Sequence, residues 1–289
     1  MTASIGVSSV RPAAVAGSFY PGSPAILRRD IDGLLEQASV PKITGTLLAV
    51  VSPHAGYMYS GCTAAHSFKL LMGKGIDKVI IVGPSHRDNF DGISIYPGES
   101  YQTPLGDVHV NEQLRSLMIS QDKGIMASPV GHRTEHSVEV QLPFLQRALE
   151  RFTFVPVVMG DQTVELCRTL ADALAAAIAD QHVLLVASSD LSHYHPYDDA
   201  VALDQRVIHF IETFDELGLM KKLERHEVEA CGGGPIVAIM LAAKKLGATN
   251  ARVIHYCNSG DVTGEKDAVV GYCSAAFTRE PSVDSHRVN

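Results

Sequence analysis

No basic block occurs anywhere in this 289-residue chain, and its charge balance is acidic, with 24 Lys and Arg against 32 Asp and Glu. A surface for nucleic acid or anionic membrane would have to be a local patch working against an unfavourable overall field, so neither is an expected partner. Long apolar runs are missing too. The longest, Ile236 to Ala243, falls far short of the roughly 18 residues that a spanning helix needs, and the protein is expected to be soluble. Met1 to Val15 lacks the basic start and apolar stretch of a secretory signal. The five cysteines are an odd number without paired spacing and read as reduced thiols, which makes the cytoplasm the expected compartment. Repeats, low-complexity tracts and linkers are also absent. Residues 1–289 are therefore read as a single domain with an ordered core of about 11–280, and Met1 to Val10 and Pro281 to Asn289 as mobile ends.

What is present can build a core: 46% of residues are apolar and 19% charged, a mix whose burial offsets the entropy of ordering. Strand-like runs cover Gly45 to Ser52, Lys78 to Val82, Phe152 to Val158, His182 to Ser188, Ala251 to Tyr256 and Val269 to Phe277. Between them, Ala64 to Met72, Glu139 to Glu150, Val164 to Ala179 and Pro235 to Leu246 carry Ala, Leu and charged residues at helical spacing. This alternation predicts a three-layer α/β/α fold with a central sheet that is mostly parallel or mixed. Near-continuous Val, Ile and Leu predicts strands buried on both faces. Gly73 and Gly247 each follow a helical run and fit helix ends, while Pro143 marks a helix start or kink. Gly92 to Val110 reads as short strands and turns around Pro97, Gly98 and Gly106.

Three strands end alike. LLAVVSPH stops at His54, VIIVGPSH at His86, and VLLVASSDLSH with Asp190 and His193. Ligands of open α/β sheets sit outside the carboxyl ends of the strands, so these four side chains are candidates to converge there, although a lone His at a strand end is more often a hydrogen-bonded loop residue. Cys231 in EACGGGP precedes a helix, where three glycines allow close backbone approach and the helix terminus would lower a thiol's pKa; the plainer reading is a small buried hydrophobe in a flexible loop. Thr134 or Ser137 can cap the helix that follows, and Glu135 or His136 can orient a ligand histidine. Tyr194 and His195 extend the third loop. Cys62, Cys167, Cys257 and Cys273 read as packing residues, and His66, His109, His132, His182, His209, His226 and His255 carry no assigned role.

PHAGYMYSG at Pro53 to Gly61, GPSH at Gly83 to His86, TEHSVEVQLPFLQ at Thr134 to Gln146, SSDLSH at Ser188 to His193 and CGGGP at Cys231 to Pro235 together resemble the Memo family, known in prokaryotes as AmmeMemoRadiSam system protein B. AGSFYP at Ala16 to Pro21 extends the likeness to nearly the whole chain. The resemblance implies a fold similar to the class III extradiol dioxygenases, which hold non-haem Fe(II) by two His and a Glu. His54 and His86 match the two imidazoles, and Cys231 stands in place of the Glu. His193 matches the acid/base histidine, with Asp190 beside it. Exchanging a hard carboxylate for a soft thiolate shifts preference toward copper or zinc, so the implied cofactor is Fe(II) or Cu, with zinc an alternative occupant in purified protein. Glu135, His136, His195 and Tyr57 would support or line the pocket.

On this basis the chain is expected to be a metal-dependent oxidoreductase acting on a small molecule. The alternative is an adaptor that uses the pocket to bind a metal, a peptide or an anion. A minor reading is metal-free hydrolysis with Cys231 as nucleophile, His193 as base and Asp190 as orienter. The family further implies association with AMMECR1-like and radical SAM proteins, and eukaryotic members are linked to receptor-tyrosine-kinase signalling and cell motility. Homodimerisation follows only from its frequency among soluble proteins.

Overall fold

The runs richest in Val, Ile and Leu become the middle of one sheet, in a computed structural model that describes residues 9–119, 124–179 and 181–280. In chain order the strands are β1 (Val10–Arg11), β2 (Thr46–Ser52), β3 (Lys78–Pro84), β4 (Ile93–Ile95), β5 (Ser100–Thr103), β6 (Gly106–His109), β7 (Ile125–Ala127), β8 (Thr153–Met159), β9 (Leu184–Ser188), β10 (His193–His195), β11 (Asn250–Asn258) and β12 (Val269–Arg279). The helices are α1 (Pro24–Gln37), α2 (Tyr57–Lys69), α3 (Glu112–Ile119), α4 (Leu142–Ala148), α5 (Val164–Ile178), α6 (Tyr197–Glu212), α7 (Glu216–Glu224), α8 (Gly233–Lys245) and α9 (Ser259–Thr263).

Nine strands form a mixed sheet ordered β10-β12-β2-β9-β3-β8-β4-β7, with β11 paired to β12. The central β2, β9, β3 and β8 run parallel and are buried on both faces apart from the first residue of three of them. One face packs on α3, α5, α6, α7 and α8, the other on α1, α2 and α4, which gives three layers. On one flank β10, β11 and β2 all pair antiparallel to β12, and β11 must, because the ten-residue connection to β12 holds only α9 and is too short for a parallel crossover; on the other, β4 is antiparallel to β8 and parallel to β7. Ala251 to Tyr256, expected to be buried on both faces, belongs to this outer strand and is only partly covered. No helix among the described residues is long and apolar enough to cross a membrane.

Several elements leave little trace in sequence pattern. α1 buries only Leu27, Ile31 and Leu35, a narrow stripe at four-residue spacing. α2 begins at Tyr57 rather than Ala64 because small residues, Ser60, Gly61 and Thr63, cover its buried face without an apolar period. Gly247, at φ +87°, follows the last residue of the α8 cap as a helix-ending glycine should. Val10, expected in a mobile end, is instead paired in β1, with Val10 opposite Ser100 and Arg11 opposite Tyr101. The remainder of both expected mobile ends, apart from Ser9, lies outside the described residues.

That short strand carries Arg11 inward to a fully buried partner, Glu139. The guanidinium donates to the Glu139 carboxylate and to the carbonyls of His132 (2.5 Å) and Glu135 (2.6 Å). Glu139 also accepts the Tyr20 hydroxyl (2.5 Å) and the N–H groups of Ala14 (2.8 Å) and Val15 (3.1 Å). The N-terminal segment is thereby tied to the 132–141 loop.

His132, beside this network, is fully buried and accepts the Tyr101 hydroxyl at Nδ1 (2.6 Å); burial raises that phenol well above its usual range, so it stays a donor. Burial pushes the His132 imidazole down to about 3, against 6.5 in the unfolded chain. The contribution of His132 to stability is therefore intact above pH 6.5 and is lost as the pH falls toward 3, while the unfolded chain takes up the proton. The slope is about 1.4 kcal/mol per pH unit, or about 2 kcal/mol between pH 6.5 and 5. Urea midpoints at pH 7 and pH 5 should fall less in His132→Asn than in the wild type; parallel falls would refute a neutral, buried imidazole.

Candidate metal centre

β2, β9 and β3 are adjacent and parallel, so the residues that follow them emerge at one edge of the sheet. His54 lies two residues beyond β2, His86 two beyond β3, and Ser189 and Asp190 directly follow β9. His54 is buried, and its Nδ1 meets Ser188 Oγ at 2.9 Å. Ser188 Oγ already donates to the Ser137 carbonyl (2.6 Å) and receives Gln141 Nε2 (2.8 Å). Its single proton is thus committed, so His54 donates from Nδ1 and presents a bare Nε2. Burial, reinforced by the neighbouring His136 and His86, lowers the His54 pKa far below 6.5 and keeps it in the neutral, ligating form.

His86 is set by Glu135. The carboxylate accepts His86 Nδ1 (2.9 Å) and the N–H groups of His86 (2.5 Å), His136 (2.9 Å) and Ser137 (2.9 Å). Burial alone would raise the Glu135 pKa, but these hydrogen bonds and the two imidazoles hold it well below the usual carboxylate range. An ionised acceptor fixes the Nδ1–H tautomer and leaves His86 Nε2 bare. His136 supplies a third imidazole, its ring centroid 5.3 Å from that of His54 and 4.7 Å from that of His86. Its buried Nδ1 makes no hydrogen bond among the described residues and stands 3.3 Å from Glu135 Oε1. Ligand atoms of His54, His86 and His136 all lie within 4.8 Å of one another.

Cys231 adjoins this triad through His54, with Sγ 3.1 Å from Nε2. Donors sharing one ion at about 2.0–2.1 Å for nitrogen and about 2.3 Å for sulfur stand about 3.1 Å apart across a right angle. The three imidazoles therefore fit a transition-metal ion, and Cys231 reaches them only through His54, at a distance that suits either a shared ion or a thiol hydrogen bond. Gly232 makes the approach possible, since a Cβ there would fall 2.3 Å from the Ser188 carbonyl oxygen. The expected acidity of Cys231 is not found: burial pushes its thiol up rather than down, and the helix begins at Gly233 without offsetting this. Deprotonation would have to come from the metal itself.

The remaining candidates separate. His193 donates from Nδ1 to the Leu191 carbonyl (2.8 Å), and burial lowers its pKa. Its ring lines a cavity of about 680 Å³ with His54, His86, His136, Asp190 and Tyr272, in the range of small-molecule sites. Asp190, expected to orient His193, instead accepts the N–H groups of His54 (2.7 Å) and Ala55 (3.3 Å), and burial raises it to about 7. His195 turns away to Glu229, 2.9 Å from both carboxylate oxygens. Tyr57 spends its hydroxyl on the Val140 carbonyl (2.6 Å) and faces a neighbouring hollow, while Tyr59 lines the cavity. Sequence reasoning missed Ser188 and Gln141 as the groups that fix His54; the one available sign was the position of Ser188 at the end of its apolar run, two residues ahead of Asp190.

A family model described as Memo-like protein matches residues 11–276. A MEMO1 family protein of Methanopyrus kandleri is 37% identical over 281 residues, covering 93% of this chain and 99% of the relative. A second, from Thermoplasma volcanium, is 40% identical over 272 residues, covering 94% and 99%. Among solved structures, an uncharacterized protein of Escherichia coli K12 matches with a TM-score of 0.53 at 14% identity, covering 80% of this chain and 99% of that one, a likeness of fold.

Proposed function

The chain belongs to the Memo-like protein family, and from that premise we propose that it is a mononuclear iron or copper protein with dioxygenase-like oxidoreductase activity on a small organic substrate. The observation that carries this reading is the pair of bare Nε2 atoms on His54 and His86, each held by an acceptor at Nδ1 and gathered with His136 at one edge of the cavity, with Cys231 behind them in contact with His54. These four residues would hold the ion. When bound, iron or copper supplies Lewis acidity and one-electron chemistry; zinc would supply only the first.

The protein's own part is to orient and to move a proton. Glu135 and Ser188 fix the two imidazoles, and Asp190 pins the backbone that carries His54. His193, neutral and with its Nε2 unengaged by Leu191, is the group to take a proton from a substrate hydroxyl in the cavity. Phe19 and Tyr272 supply apolar walls suited to a ring.

Elemental analysis after anaerobic purification tests this. About one iron or copper per chain is expected in the wild type and none in His54→Ala, with oxygen uptake on addition of catechols. A folded wild type that takes neither metal when offered it anaerobically would overturn the proposal. Metal without any oxygen uptake would leave the adaptor reading.

A further inference from the structure

We propose that Cys62, His66, His255 and Cys257 form a second metal site, separate from the first, for a borderline or soft ion such as Zn(II). Cys62 and His66 are four residues apart on α2 and so share one helix face, while His255 and Cys257 are two apart on β11 and share one strand face. The two faces meet: the His66 and His255 rings stack at 4.1 Å, and ligand atoms of Cys62, His66 and His255 lie within 4.8 Å of one another.

Two further observations point to a ligand set rather than to ring packing alone. The first is the state of the nitrogens. His66 Nδ1 contacts the Cys62 carbonyl at 2.8 Å; a carbonyl only accepts, so Nδ1 carries the proton and Nε2 is bare. Thr63 Oγ1 engages His255 Nδ1 at 3.0 Å and Cys257 Sγ at 3.1 Å, so one buried hydroxyl supports both β11 donors and leaves His255 its Nε2. The second is a bulge in the strand. The pairing of β11 with β12 slips between Val253, opposite Ala275, and His255, opposite Ser274, so Ile254 and His255 together face one residue. Without that extra residue His255 would turn to the other side of the sheet, where Val253 and Tyr256 pack. Two imidazoles and the Cys62 thiol, with Cys257 held beside His255 by Thr63, suit zinc or a similar ion, and Cys62 is exposed, which gives it a way in. The ion would clip α2, whose first turn follows the His54 loop, to the outer strand.

The test is residue-resolved alkylation of the reduced, metal-stripped full chain with iodoacetamide, with and without a small excess of Zn(II), read by peptide mass mapping. Zn(II) is expected to slow labelling of Cys62 roughly tenfold or more. That protection should vanish in His66→Asn and His255→Asn and persist in His54→Ala, which keeps the two sites distinguishable. Far-UV circular dichroism checks that each variant is folded. Labelling of Cys62 that ignores Zn(II) would overturn the site, as would protection that survives both Asn variants or is lost in His54→Ala.

Discussion

Glu139→Ala is expected to cost about 3–5 kcal/mol, a large share of the roughly 5–15 kcal/mol that holds a domain folded. The magnitude follows from what would be left behind. Arg11 is 3% exposed and Glu139 is fully buried, so deleting the carboxylate strands a guanidinium where water cannot reach it. The Tyr20 hydroxyl and the N–H groups of Ala14 and Val15 would lose their acceptor in the same stroke. Urea-unfolding midpoints measure the loss. The double variant Arg11→Met with Glu139→Leu should recover part of it, because an apolar pair needs no partner, but not all, because the Tyr20 hydroxyl and those N–H groups stay unpaired. A cost under about 1 kcal/mol for Glu139→Ala would mean that the pair is solvated and the network is not what joins the N-terminal segment to the 132–141 loop.

The second large effect falls on binding. Glu135→Gln should weaken metal affinity about 10- to 100-fold while the fold persists. Both carboxylate oxygens are in use, one receiving the His86 N–H and the other His86 Nδ1 together with the N–H groups of His136 and Ser137. An amide keeps one acceptor and turns the other into a donor, so one of the two His86 contacts becomes a clash between N–H groups. The imidazole then loses either its tautomer or its tilt. Competition titration with a chelator, using Zn(II) as the probe in chains that also carry His66→Asn to remove the second site, reads the change. Unaltered affinity would show that Glu135 does not set the ligand geometry of His86.

The central sheet was legible because apolar runs of β2, β3, β8 and β9 are buried along nearly their whole length, and the first two candidate histidines because each interrupts such a run at its end. The network around Arg11 was not legible: a single arginine and a single glutamate, 128 positions apart, carry no period that marks them as partners. His136 was legible as a residue near the site but not as an inward-facing imidazole, since only the four acceptor contacts of Glu135 turn the loop that presents it. The acidity of Cys231 was misjudged because a helix terminus is visible in sequence and the depth at which the thiol sits is not. His66 and His255 had no visible role for a related reason. Their meeting depends on a one-residue slip in strand pairing, which leaves no mark on composition.

The contact between His54 and Cys231 joins positions 177 residues apart. Nascent chain that ends before Cys231 can gather the three imidazoles but not the sulfur, and the contacts of Arg11 require the N-terminal segment to be docked on the middle of the chain as well. Closure of the contact between His54 and Cys231 therefore spans a long stretch of chain, the kind of non-local pairing that high contact order makes slow. If the proposed ion is held through Cys231, its retention would mark the arrival of that sulfur beside the imidazoles.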